Sequence, residues 1–282
     1  MGSRRLVITA DDFGLDPAVN EAVEIAHRQG VLVAASLMVG APAVADAMER
    51  ARGNPRLRVG LHLVLVDGRP ILAPDMVPHL TSASGDFSAD MASAGAKMFF
   101  LPAARRELAA EIEAQFAAFA ATGLTLDHVN AHRHFHLHPT IAALTMKIGA
   151  RHGLRAMRVP TEPPGPLRGA EPEGVVRPSG LVEIFARRLG ARARNVGLLV
   201  PDQVFGLRWS GAMSEMRLAG LIRALPDGLS EIYLHPATRG GFNGSAAGYR
   251  YADELAALVS PGVAQALAES GAEVGGFADF IP

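Results

Sequence analysis

The 282-residue chain contains no cysteine, which excludes disulfides and thiolate ligands; any metal it holds must use His, Asp, Glu and water. Net charge is nearly absent too. With 27 basic and 28 acidic residues, no overall field favours nucleic acid as a partner. The longest apolar stretch, Val31 to Ala45, contains Ser36, Gly40 and Pro42 and falls short of a membrane span. Leu6 to Ala10 is too short for a signal-peptide core and runs directly into Asp11 and Asp12, so a soluble or peripheral protein is expected. There is no internal repeat and no clean linker, and the length suits one barrel-sized domain or two smaller ones.

Histidine, by contrast, is concentrated. Four of the ten histidines fall in His132-Arg133-His134-Phe135-His136-Leu137-His138, followed by Pro139. If the segment is extended, strict alternation puts all four imidazoles on one face, whereas a helix would scatter them. A histidine-rich face at a strand end suggests a metal site; the alternative is a solvated polar loop.

Short apolar, β-branched runs alternate with helical patterns. Strands are expected at Leu6–Thr9, Val31–Val39, Leu57–Leu63, Leu124–Val129 (the beginning of the strand that carries the histidines), Ala156–Val159, Glu231–Leu234 and Glu273–Phe277, about seven in all. Between them, Asp16-Pro17 reads as a helix start and Gly30 as its stop. A second helix runs through Leu108, Ile112, Phe116 and Phe119 to Gly123, and a third opens at Pro139 and closes at Gly153. Such alternation implies a parallel sheet covered by helices, and the number of strands favours a (β/α) barrel over an open sheet. Val66–Phe100, Pro160–Ser179 and Pro236–Tyr251 lack regular periodicity and follow strand candidates, so they are expected to wall the pocket, with 66–100 as a lid or insertion.

Chemistry-bearing residues recur at strand ends. Thr9-Ala10-Asp11-Asp12-Phe13-Gly14 ends the first strand with two carboxylates, costly to bury unpaired, although an Asx turn capping the next helix would also account for them. His62, in Val59-Gly60-Leu61-His62-Leu63, reads alone as a satisfied core histidine as readily as a ligand. Glu231-Ile232-Tyr233-Leu234-His235-Pro236 ends a late strand in histidine. Four strand ends delivering Asp, His, a histidine run and His to one rim make a site the stronger reading.

Taken together, Thr9–Gly14, Gly60-Leu-His-Leu63, Asn130-Ala-His-Arg-His-Phe-His136 and Leu234-His-Pro-Ala237 resemble the ordered motifs of YdjC-type carbohydrate deacetylases, over essentially the whole chain. Leu126–His132, Pro201–Gly206 and Glu231–Thr238 are most similar to the subgroup associated with hopanoid biosynthesis (HpnK-like). The resemblance implies a single divergent (β/α)-barrel deacetylase domain over 1–282 and one divalent metal, zinc, with magnesium as the alternative. It implies Asp12, His62 and His132 as ligands, Asp11 as catalytic base and His235 as general acid. Where relatives carry Asp-Ser before the first clustered histidine, this chain has Asn130-Ala131, so an amide must orient His132. His134 and His136 are expected to orient ligands or touch substrate, with His134 ranked first; His138 would start the helix.

The implied substrate is a glycosylated hopanoid, N-acetylglucosaminyl-bacteriohopanetetrol, which loses its acetyl group. The implied location is cytoplasmic, with peripheral contact at the inner membrane. Two segments could meet lipid: Met98-Phe99-Phe100-Leu101, an apolar run expected in a loop ahead of Arg105 and Arg106, and the basic amphipathic stretch Leu181–Val196. The latter reads equally as a surface helix packed on the barrel. Alternatives are deacetylation of soluble chito-oligosaccharides and non-catalytic binding of a glycolipid or metal. A phosphoesterase is disfavoured by the lack of a P-loop and of any Arg/Lys constellation assignable to the pocket.

Overall fold

The computed structural model describes residues 3–171 and 180–281. Seven parallel strands are present among them: β1 (Arg4–Phe13), β2 (Ala34–Leu37), β3 (Arg58–Leu63), β4 (Leu126–Ala131), β5 (Gln203–Phe205), β6 (Gly228–Leu234) and β7 (Glu273–Val274). The helices are α1 (Pro17–Gln29), α2 (Val44–Gly53), α3 (Met91–Phe100), α4 (Pro102–Ala121), α5 (Pro139–Gly149), α6 (Pro164–Ala170), α7 (Gly180–Asn195), α8 (Glu215–Arg223), α9 (Tyr251–Leu258) and α10 (Pro261–Ser270).

Strand order is β4-β3-β2-β1-β6-β5, with β7 pairing to the start of β1. The sheet curls into an open barrel. Its central strand, β1, is buried from Leu6 to Phe13, as expected of a parallel strand covered on both faces. Beyond β4 the wall continues through isolated bridges, Val129 to Met157 and Ala156 to Leu199. Ala156–Val159 is therefore not a full strand as expected, whereas Gln203–Phe205, unassigned from sequence, is one.

Local chemistry explains the elements. Asp16 accepts the Ala18 N–H at 2.9 Å and Pro17 takes the first helical position, so α1 starts where the sequence predicts. At its end a Cβ on Gly30 would lie 2.2 Å from the Leu258 carbonyl oxygen, so only glycine lets α1 close onto α9. Val19, Val23 and Ala26 then pack into the main core with Leu6, Ile8 and Ile232.

The 66–100 segment departs from expectation in its last third, which is helical. Asp90 caps α3 by accepting the Ala92 and Ser93 N–H groups, and buried Met98 anchors it. The Met98–Leu101 run accordingly ends a helix and not a loop. Pro160–Ser179 also contains a helix, α6, and its residues from 172 onward lie outside those described, as does the Leu181 side chain. No helix among the described residues is long and apolar enough to cross a membrane.

Candidate active site

The first two carboxylates meet at one centre because β1 is irregular there. Its register with β2 shifts between Ala10 and Phe13, and Asp12 adopts φ 64°, a left-handed conformation that Asp tolerates better than most residues. Both Asp11 and Asp12 consequently line the same cleft, where regular alternation would have sent one to each face.

Asp12, His62 at the end of β3 and His132 just beyond β4 each offer a ligand atom, all within 4.8 Å of one another. Asp12 Oδ1 lies 3.3 Å from His62 Nε2 and 3.2 Å from His132 Nδ1. His62 Nε2 is buried and makes no hydrogen bond. One carboxylate oxygen and two imidazole nitrogens, with one nitrogen left unsatisfied, fit a divalent cation such as zinc and match an open catalytic site better than a closed structural one. Burial alone would raise the Asp12 carboxyl, but His132 beside it holds it well below its ordinary value; that carboxylate in turn outweighs burial at His132 and raises the imidazole.

Asp11 is held differently. Arg158, which has no exposed surface, donates to both its oxygens, at 2.5 and 3.0 Å, and to both oxygens of Glu231 on β6, at 3.0 and 2.6 Å. Burial opposes ionisation of Asp11, yet the guanidinium keeps its carboxyl well below the usual range. Arg158, fully buried and reaching the cleft only through Asp11, is a cation the sequence did not assign to the site. The available sign was a lone charge inside the apolar run Ala156–Val159, since a buried arginine requires buried acids.

The histidine run is not extended. β4 stops at Ala131, and His132–Leu137 forms a 3-10 segment in which Arg133 and His134 both adopt φ 53°. The four imidazoles therefore serve different places. His132 joins the Asp12 cluster. His134 Nε2 is 3.0 Å from the Tyr233 hydroxyl, and burial lowers its basicity well below normal. His136 Nε2 donates to the Arg158 carbonyl oxygen at 2.9 Å, and burial pushes this imidazole down to about 3, so it is a neutral strut. His138 precedes α5, as expected, and its ring packs near Phe99 and Phe135. Asn130 supports His62 (2.6 Å) and Asp11 (2.9 Å), where the sequence predicts support of His132.

His235 sits on the cleft wall just past β6, with its Nδ1 buried and unpartnered and its ring 5.1 Å from that of Tyr249. Burial outweighs Asp12 and Asp11 and lowers its basicity, so the free protein holds it neutral near pH 7. Its backbone N–H donates to Glu254 on α9, which also accepts from the Met213 N–H. Two other buried glutamates do the same for the rim: Glu111 accepts from Ile71 and Leu72, and Glu162 from Gly206, Leu207 and Arg208.

The cleft encloses about 1580 Å³ and includes Asp11, Asp12, His62, His132, His134, Tyr233 and His235. All four non-glycine residues with positive φ among those described, Asp12, Asp67, Arg133 and His134, line it. Strain of this kind, of order 1–3 kcal/mol per residue, persists where surroundings over-determine it. Phe99 and Phe100 do not line this cleft. They border a second groove of about 610 Å³ with His138, Phe185, Arg188 and Arg192.

An open parallel α/β barrel carrying an Asp-His-His cluster beside a buried, arginine-held carboxylate defines a hydrolase-like class of site. The chain matches the profile of the YdjC-like protein family over residues 5–269 and belongs to that family. It is 29% identical over 281 residues to a carbohydrate deacetylase of Geobacillus stearothermophilus, covering 98% of each chain. It is 36% identical over 160 residues to a carbohydrate deacetylase of Brevibacillus brevis, a match spanning 57% of this chain and 59% of that relative. In fold it is similar to an Enterococcus faecalis V583 protein described in terms of cellobiose-phosphate cleavage, with TM-score 0.77, 24% identity and 99% and 100% of the two chains covered.

Proposed function

We propose that this protein is a metal-dependent carbohydrate N-deacetylase whose substrate is a glycosylated hopanoid carrying N-acetylglucosamine. The observation that carries the catalytic half is the juxtaposition of the Asp12-His62-His132 donor cluster with Asp11, both lining one cleft. Asp12, His62 and His132 would hold the ion. Bound there, a divalent cation would polarise the acetamide carbonyl and acidify a water molecule.

The chain's own groups supply the rest. Asp11, kept ionised by Arg158, orients the attacking water and takes up the proton that it releases. An amine leaves poorly as an anion, so the departing nitrogen needs a proton. His235 is the group placed to deliver it at a ring nitrogen. Burial lowers the basicity of His235, so it must take up a proton before it can donate one, and the proton that the attacking water releases balances the one delivered to the leaving nitrogen. Tyr233 and His134, hydrogen-bonded to each other, form an adjoining polar wall against which sugar hydroxyls can dock.

The lipid half rests on the resemblance to the hopanoid-associated subgroup and on the second groove. Phe99, Phe100 and Phe185 are partly exposed there, at 41%, 76% and 39%, beside Arg188 and Arg192. Exposed aromatics clustered on two neighbouring helices and rimmed by arginines suit a rigid apolar tail at an anionic surface.

Mass spectrometry of N-acetylglucosaminyl-bacteriohopanetetrol incubated with zinc-loaded protein tests the reading. Loss of one acetyl group is expected with the wild type and not with Asp11→Asn. Turnover of acetylated chito-oligosaccharides alone would move the substrate to soluble sugars, and metal-dependent binding with no turnover of either would make the protein a binder.

A further inference from the structure

Five buried side chains form a hydrogen-bonded path from the far end of β4 to the candidate metal centre. Asp127 Oδ2 lies 2.8 Å from His128 Nδ1, and His128 Nε2 lies 3.0 Å from Ser36 Oγ. Ser36 Oγ is 2.9 Å from Asn130 Nδ2, and Asn130 Oδ1 is 2.6 Å from His62 Nδ1. None of the five is more than 2% exposed, so water does not compete for these groups.

The bond directions at Asn130 are forced. Asn130 also lies against Asp11, whose carboxylate is gripped by Arg158 and can only accept, so the amide nitrogen must face it. The two amide hydrogens then go to Asp11 and Ser36, and Oδ1 is left for His62. His62 must therefore carry its proton on Nδ1. With its proton on Nδ1 donated to the Asp127 carboxylate, His128 offers a bare Nε2 to which Ser36, which accepts from Asn130, donates its own hydrogen. The flipped amide would set two acceptors face to face at Asp11 and leave a donor against His62 Nδ1, which would place the imidazole proton on Nε2, toward Asp12.

The neighbouring strand makes room for the path. A Cβ on Gly60 would fall 2.5–2.6 Å from three atoms of the His128 ring, so β3 needs glycine there, two residues before His62. At the other end Asp127 is pinned by the Phe277 and Ala278 N–H groups, at 3.2 and 2.8 Å.

We propose that Asp127, His128, Ser36 and Asn130 form a one-way hydrogen-bond chain that fixes His62 as the Nδ1–H tautomer, presenting a bare Nε2 to Asp12 and His132. Asn130 and His128 are positioning residues: the first orients the ligand, and the second orients the first from a distance. The purpose of the chain rests on the reading of His62 as a metal ligand, but its existence does not.

Nitrogen-15 NMR of the whole protein, stripped of metal by chelation, reads the His62 tautomer directly, and zinc titration of the same samples reads affinity. The wild type should show Nδ1–H. Asn130→Ala should give mixed tautomers and weaken zinc binding about 10- to 100-fold, the usual effect of removing a ligand's hydrogen-bond partner. His128→Phe, which keeps the ring shape over Gly60, should shift both readouts in the same direction by less. Nε2–H in the wild type overturns the proposal, as does a change of stability in either variant with tautomer and affinity unmoved. A wild type that is Nδ1–H but binds no zinc would sustain the chain and remove the metal reading instead.

Discussion

The guanidinium of Arg158 lies between Asp11 and Glu231 and donates to all four of their carboxylate oxygens. This makes a remote arginine the partner that keeps the candidate base charged and aimed. Arg158→Met should leave two buried carboxylates without a cation and cost about 3–5 kcal/mol in urea unfolding. Arg158→Lys, which keeps the charge but not the planar fork, should cost less while still misplacing Asp11. A near-neutral Arg158→Met would show that the pairing contributes nothing to the fold.

Metal binding should depend on the cluster and not on its neighbour across the cleft. His62→Ala and His132→Ala are each expected to lower zinc retained after dialysis by roughly tenfold or more, with the circular dichroism spectrum preserved. His235→Ala should retain zinc and lose turnover. Zinc lost from His235→Ala would instead make it a ligand.

Stability should carry a pH signature from Glu254. Burial pushes its carboxyl up to about 7, against the opposing pull of the Met213 and His235 N–H groups. A folded-state value above the unfolded one means the contribution is full below pH about 4.5 and is lost as pH rises through about 7. The loss is of order 3 kcal/mol. Glu254→Gln has nothing to ionise, so between pH 5 and 8 its unfolding free energy should fall less steeply than that of the wild type; parallel curves would refute the shift.

The second groove separates the two substrates. Phe99→Ser combined with Phe100→Ser should change stability by only about 0.5–1 kcal/mol, since both side chains are substantially exposed. Turnover of the hopanoid-linked sugar should drop while that of a soluble acetylated sugar holds. Equal effects on both substrates would count against a lipid role for this face.

Much of the framework was legible because it is local. The apolar run of β1 and the Asp16-Pro17 start of α1 act within a few residues, whereas the glycine that stops α1 is required by the distant Leu258 carbonyl oxygen. Strand-end position marked Asp12, His62 and His132 as site candidates, and the motif resemblance singled them out as ligands. Arg158 was not, because its partners lie 147 and 73 residues away and burial alone reveals the pairing. Nor was the break after Ala131 visible: neither Arg133 nor His134 announces a left-handed backbone, so alternation carried the strand too far. The helix α3 was obscured by Gly95 in its middle, a poor helix former compensated by the Asp90 cap and the burial of Met98.

Glu111, Glu162 and Glu254 grip the rim loops by their main-chain N–H groups, with Gln115 the one side chain that also donates to Glu111. Gripped positions such as Ile71, Leu72, Leu207, Arg208 and Met213 can therefore change side chain without coming unfastened, provided proline stays out, whereas Gly206, whose Cβ would meet the Tyr233 carbonyl oxygen at 2.5 Å, and His235 are fixed for other reasons. Substrate preference is free to drift over evolutionary time while the reactive groups beneath hold still. In such an architecture divergence of specificity costs little, and one barrel can supply a family of enzymes that share chemistry and differ in what they recognise.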